Sequence, residues 1–286
     1  MEKNLFQNKI IIELIEKYQS IWALDHLNKL ATWDGEVYMP TKGARYRGKA
    51  LAKSQTLIQQ LFLSTEFKKL IDLASNEDLN EYETAIIRVL NRELEMFQKL
   101  PPKFIEEFEE TVSESQIVWR NARKSDDFNL FKPNLENIVE LSKQKAEYLG
   151  YKSNPYDALL DTFEEGLTVE FLENYFDKVT KTVTELLFSL KNNPNYPKKD
   201  NMSSLKYDIE RAKKLNESIL EFLLYDSQKL RLDISSHPFS EGLSTQDSRI
   251  TTRYEGYDIA RTVTSTIHEF GHALYFLQHN DEINTT

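Results

Sequence analysis

The sequence predicts a mainly α-helical fold, and three observations predict it. Gly is scarce, 8 of 286 residues against a usual share of about 7%. Apolar residues recur at three- and four-residue steps over most of the chain, the period of a helix with one buried face. Strict alternation, the mark of a strand, is confined to a short stretch between Leu230 and Tyr254.

The elements follow in order. Residues 5–32 carry Ile11, Leu14, Ile15, Tyr18, Ile21 and Trp22 on one face and predict a long first helix, broken by Thr32–Pro40. A second helix runs from about Thr41 to Leu63, and others are expected at 65–75, 79–98 and 102–124. Pro101-Pro102 marks a boundary, because Pro suits the first turn of a helix and not its interior. A helix over 131–149 ends at Gly150, a residue suited to the left-handed cap. Asn154-Pro155 opens a short segment with Tyr156, Leu159, Leu160 and Phe163. Helices at 168–191 and 203–225 flank a polar loop, Asn192–Asn201, that holds Pro194 and Pro197. Leu230, Leu232 and Ile234 then alternate with Arg231, Asp233 and Ser235, and Ser248–Tyr254 alternates again. These two strands predict a small antiparallel β ribbon, with the Pro-, Gly- and Ser-containing residues 236–247 as its loop. No linker or repeat divides the chain, so residues 1–286 read as a single domain.

Composition excludes several functions. A net charge of −10 argues against nucleic acid as a partner. There is no Cys, which removes disulfides and thiolate metal sites. No apolar run reaches membrane-spanning length, and the first residues lack the basic and apolar regions of a signal peptide. A cytoplasmic location is the expectation.

The chemistry concentrates at His268-Glu269-Phe270-Gly271-His272, an HExxH motif. Residues four apart share a helix face, so His268 and His272 can bind one metal ion together. Glu269 lies about 100° further round, near a water held at such an ion. The predicted core stripe is Val263, Ile267, Phe270, Leu274 and Leu277, which leaves His268, His272, Tyr275 and His279 on the other side. Two of only five histidines fall on this spacing. Elsewhere, His26 and the three Trp read as structural residues, and Glu106, Glu107, Glu109 and Glu110 as a solvated face.

Three blocks then coincide in order: Ser236-His237-Pro238-Phe239-Ser240, Asp247-Ser248-Arg249-Ile250-Thr251-Thr252-Arg253-Tyr254, and Thr266 through Tyr275. With Trp33–Pro40 and Tyr156–Asp161 upstream, the chain resembles the carboxypeptidase Taq family of metallocarboxypeptidases from about residue 25 onward. The resemblance implies a helical, groove-forming metallopeptidase fold with the small β ribbon beside the metal-binding helix. It implies a zinc ion, with cobalt as the other candidate, a homodimer, and release of single residues from the C-termini of peptide substrates. It makes His268 and His272 metal ligands and Glu269 the general base. It places His237, Asp247, Arg249 and Thr251 at substrate-binding positions. A strand edge there could hold an extended peptide by main-chain hydrogen bonds. Alternatively, Asp247 and Arg249 simply pair to fix the ribbon.

The family's third metal ligand is a Glu on a later helix, at a position beyond Thr286. The chain therefore reads as the N-terminal part of a family member, lacking that ligand and inactive alone. Glu282 could substitute only if the chain doubled back after His279, and it reads instead as part of a terminal loop. The HExxHxxGxxH pattern is excluded by Tyr275 and Gln278. His279 lies about 10 Å further along the helix axis than His272, too far to share the ion. Two other readings stand beside the enzyme: a non-catalytic remnant that binds peptide or mediates dimerisation, and an endo-acting oligopeptidase.

Overall fold

The computed structural model describes residues 4–196 and 204–285. They fall into two compact units, one built from the chain up to Phe131 and from Met202 onward, the other from Lys132–Asn201.

The larger unit begins with α1 (Lys9–Val37), capped by Asn8, whose side chain accepts from the backbone N–H of Ile10. The expected break at Thr32 does not occur. A single Gly inside a helix costs only about 1 kcal/mol, and tertiary contacts outweigh Gly35 here. Trp33 is buried, Arg47 pairs with Asp34, and Arg120 pairs with Glu36 and donates to the Gly35 carbonyl. The helix ends instead at Tyr38, ahead of Pro40. A 3-10 turn (Thr41–Gly43) leads into α2 (Ala44–Phe62), followed by α3 (Thr65–Ala74), α4 (Glu81–Lys99) and α5 (Pro102–Ser125). Ser64 caps α3 and Asn80 with Glu83 forms a capping box on α4. The ring of Phe62 meets Phe67 at 5.2 Å and Phe97 at 5.1 Å, in a core shared with the fully buried Ile11, Leu14 and Ile71.

The smaller unit contains α6 (Lys132–Leu149), closed by Gly150 at φ 79°, then α7 (Pro155–Leu160) and α8 (Val169–Asn192). Residues 197–201 of the expected polar loop lie outside the described residues.

Back in the larger unit, α9 spans Ile209–Phe222, shorter than the predicted 203–225. Residue 203 is outside the described set, residues 204–208 are not helical, and Asp208 caps the helix through the N–H of Arg211. Next come β1 (Leu230–Ile234), β2 (Ser240–Ser244) and β3 (Asp247–Thr252), in sheet order β1-β3-β2. The expected antiparallel ribbon is corrected: β1 and β3 are parallel, with Leu230 opposite Ser248 and Ile234 opposite Thr252. The hairpin partner of β3 is β2, drawn from residues expected to be loop. Ser240-Glu241-Gly242-Leu243-Ser244 lacks apolar alternation, so its pairing is not written in its pattern. The chain leaves β1, crosses to the far edge as β2 and returns through the middle, which makes β3 central and closes both of its edges.

The last helix, α10 (Ile259–Leu277), packs on this sheet and on α9. Phe270 and Ala273 join Leu220, Leu230 and Ile250 in a second core. Burial of each large apolar side chain there contributes about 1.5–3 kcal/mol. The expected core stripe of α10 is rotated. Its inward face is Thr262, Thr266, Glu269, Phe270 and Ala273, while Ile267 and Leu274 remain 41% and 39% exposed. The cause is polar: both threonines find partners beneath the helix and can be buried without penalty. Among the described residues, no helix is long and apolar enough to cross a membrane.

Candidate metal centre

The position of α10 is fixed from below. Asp258 caps it by accepting from the Arg261 N–H at 3.1 Å. Thr262 Oγ1 lies 2.8 Å from the Tyr207 hydroxyl and 3.3 Å from the Arg253 carbonyl. One turn on, Thr266 Oγ1 accepts from Asn216 Nδ2 and sits beside Thr252 Oγ1, both at 2.8 Å. These contacts set the rotation of the helix about its axis, and with it the direction of the next two residues.

His268 and His272 are exposed, with their Nε2 atoms 3.2 Å apart and their rings nearly perpendicular. At metal–nitrogen bonds of about 2.0–2.1 Å, nitrogens at that separation subtend roughly 100° at a shared ion, close to the tetrahedral angle. The pair therefore fits a zinc or cobalt ion as a two-toothed donor. Glu269, between them in sequence, is only 8% exposed. It lines an open cleft of about 420 Å³ together with His268, His237, Pro238, Arg123, Arg253, Glu255 and Arg261. His268 and Glu269 of the motif both line this cleft, and His272 lies one turn on, outside its lining.

Of the other sequence-derived site residues, the structure brings His237 into the same cleft. Its Nδ1 is 2.7 Å from the Pro238 carbonyl oxygen, which can only accept. Nδ1 therefore donates, and in the neutral ring Nε2 is left as an acceptor. Thr251 is fully buried instead. Its hydroxyl accepts from the Phe239 N–H at 2.9 Å and from Ser235 Oγ at 2.8 Å, and its own N–H donates to the Phe239 carbonyl. It holds the loop that carries His237. Asp247 and Arg249 form a two-point ion pair at 2.9 and 3.1 Å, outside the cleft lining. Because β3 is central, the expectation of a free strand edge at these residues is corrected: β1 and β2 already occupy both edges.

Arg123, Arg253 and Arg261 were not singled out from sequence. Arg123 and Arg253 both donate to the Ser236 carbonyl at 3.2 Å, and Arg253 also pairs with Glu255 at 2.9 Å. Only Arg253 carried a signal, its place after Thr251-Thr252 in the second block.

Among the described residues, no group of three or more His, Asp or Glu is placed to hold a metal ion. Glu282 is engaged elsewhere, accepting from the Leu5 N–H at 2.7 Å. His279 packs on Tyr275, ring centres 4.5 Å apart.

Residues 13–286 match the family described as carboxypeptidase Taq (M32) metallopeptidase. The chain is 41% identical over 286 residues to thermostable carboxypeptidase 1 of Pyrococcus furiosus, covering 99% of this chain and 57% of that one. It is 32% identical over 276 residues to carboxypeptidase 1 of Bacillus subtilis, covering 96% and 53%. Among solved structures, that of Pyrococcus furiosus carboxypeptidase in an Apo-Mg form superposes with a TM-score of 0.87 at 42% identity, over 99% of this chain and 57% of that one. The BsuCP crystal structure gives 0.92 at 30% identity, over 98% and 56%. The chain thus spans little more than half the length of the relatives it matches.

Proposed function

Since the chain belongs to the carboxypeptidase Taq (M32) metallopeptidase family, we propose that it carries the metal-binding and proton-transfer half of a metal-dependent carboxypeptidase site. His268 and His272 would hold zinc, or cobalt, through Nε2. The observation that carries this reading is the 3.2 Å Nε2 pair beside a cleft that His268 and Glu269 line together with His237.

The ion, when bound, supplies a Lewis acid that polarises the scissile carbonyl and makes a nearby water a better nucleophile. Glu269 takes the proton of the attacking water on a carboxylate oxygen and delivers it to the leaving amine, so the acyl group passes directly to water. His237 meets the peptide through Nε2, accepting from a substrate N–H when neutral. Thr251 and Ser235 contribute to substrate binding by holding the His237 loop, and the Asp247–Arg249 pair by fixing β3 beneath it. The substrate is a peptide with a free C-terminus. A homodimer and a cytoplasmic setting complete the reading.

The test joins residues 1–286 to the remaining C-terminal part of the Pyrococcus furiosus relative and compares that chimera with its Glu269→Gln variant. The variant should keep its metal and lose about 10²–10⁴ in turnover. Near-normal turnover with metal bound removes Glu269 from the mechanism.

A second reading has its own support. With two imidazoles and no third protein donor among the described residues, the 286-residue chain by itself holds metal weakly and acts as a non-catalytic polypeptide.

A further inference from the structure

We propose that Tyr207, which is not among the residues lining the cleft, is a positioning residue for it: its hydroxyl holds the turn whose Arg253 guanidinium fixes the loop of His237. This rests on the reading that His237 meets the peptide, and it names a residue through which that contact is set.

The first argument is a hydrogen-bond chain with one direction. The Glu255 N–H donates to the Tyr207 hydroxyl oxygen at 3.2 Å. The Tyr207 hydroxyl lies 2.8 Å from Thr262 Oγ1, and the Thr262 hydroxyl donates to the Arg253 carbonyl at 3.3 Å. A carbonyl oxygen can only accept, so Thr262 gives its proton there and accepts from Tyr207. Each hydroxyl then donates once and accepts once, and bonds linked in this way polarise and strengthen one another. The two ends of the chain, the Arg253 carbonyl and the Glu255 N–H, bracket the turn that leads from β3 to α10.

The second argument is what the turn carries. Arg253 and Glu255 pair at 2.9 Å, and both line the cleft. Arg253 also donates to the Ser236 carbonyl at 3.2 Å, and Arg123 of α5 reaches the same oxygen at the same distance. One of these guanidiniums is placed by a helix and the other by the turn. A shift of the turn therefore removes one of the two donors that hold the peptide plane just before His237. The His237 Nδ1 is already engaged by the Pro238 carbonyl, so the direction of the ring follows the loop.

The third argument is how Tyr207 itself is held. Its N–H donates to the Gly256 carbonyl at 2.9 Å, and Lys206 pairs with Tyr257 in an isolated antiparallel bridge. The backbone of Tyr207 thus runs along the turn, while its hydroxyl reaches across to Thr262 on α10. A Phe in its place keeps the backbone bridge and the ring, and leaves the Glu255 N–H without this acceptor.

The experiment makes Tyr207→Phe in the chimera described above and in the 286-residue chain. In the chimera, KM for a peptide should rise about 2–10-fold, the scale of one lost hydrogen bond, with kcat held. In a His237→Ala background the same substitution should add nothing, because its route to the peptide is gone. An unchanged KM, or a rise by the same factor in both backgrounds, overturns the proposal, and so does a loss confined to kcat. A His237→Ala chimera with the parent's KM overturns the peptide contact itself. In the 286-residue chain, backbone hydrogen exchange around His237 and Glu255 should quicken while that of β1 stays as in the parent. Exchange that is unchanged, or faster throughout, overturns the hold and leaves Tyr207 an ordinary packing residue.

Discussion

The Arg249 guanidinium lies 4.5 Å from the centre of the Trp33 ring. Trp33 is 4% exposed, on the last turns of α1, and Arg249 is on the central strand of the sheet. Asp247 grips the same guanidinium, Arg231 approaches the ring at 5.5 Å, and Tyr38 closes the edge at 5.4 Å. The first helix is thereby fastened to the strand that leads into α10. Trp33→Ala should cost about 3–5 kcal/mol of stability, the usual loss for a buried large aromatic. Arg249→Lys keeps the charge but loses the planar fork and the stack, and should cost about 1 kcal/mol. Urea unfolding of both variants measures this. A Trp33→Ala loss below about 1 kcal/mol would show that the ring carries no packing load.

Gly242 on β2 lies directly under the Phe276 ring, and a Cβ there would come within 2.4 Å of the ring carbons. Gly242→Ala should therefore force α10 away from the sheet and cost about 1–3 kcal/mol. Pairing it with Phe276→Ala removes the clash, so the double variant should be less destabilised than the sum of the single ones. Strict additivity in thermal unfolding would mean that the two residues do not meet.

The helical class and most helix boundaries could be read from apolar periodicity, and the meeting of His268 and His272 on one face of a helix from their spacing alone. What periodicity missed has identifiable causes. The end of α1 lies beyond the expected break because the buried Trp33 and the ion pairs of Asp34 and Glu36, which no local pattern shows, carry the helix past Gly35. The rotation of α10 was misjudged because Thr262 and Thr266 count as polar, although their hydroxyls are satisfied beneath the helix. Strand β2 was missed because Gly242 and its Ser and Glu neighbours look like loop, and only the Phe276 contact explains why a Gly stands there. Arg123 reaches the cleft from α5, far away in sequence, and no local pattern points to it.

Glu83 ties the N-terminal segment to α4. Burial pushes its carboxyl pKa up, but the backbone N–H groups of Asn8, Asn80 and Gln7 outweigh this and leave it lowered. A carboxyl lowered in the folded state contributes stability above its unfolded pKa, and that stability is lost as pH falls through the folded value. Glu83→Gln should reduce stability at neutral pH by about 1–3 kcal/mol, and the gap between variant and parent should close as the pH is taken down toward about 3. Thermal unfolding across that range measures it. A gap that stays constant down to acid pH would show that the charge on Glu83 is not what holds the segment.

The last expectation concerns activity of the 286-residue chain by itself. On the proposed reading, His268 and His272 would supply two donors to an ion, and no third stands beside them among the described residues. Loss of even an outer partner of a metal ligand costs about 10–100-fold in affinity, and the want of a third protein donor should cost at least that. With two donors alone, nothing would fix the ion relative to Glu269, and proton transfer would lose the geometry on which it depends. The chain with added zinc or cobalt should therefore release C-terminal residues far more slowly than the chimera with the Pyrococcus furiosus C-terminal part. A peptide blocked at its C-terminus should resist that chimera, which separates release of terminal residues from internal cleavage. Comparable turnover by chain and chimera would refute the expectation, and would mean that the chain completes its site with donors other than those of the relative's C-terminal half.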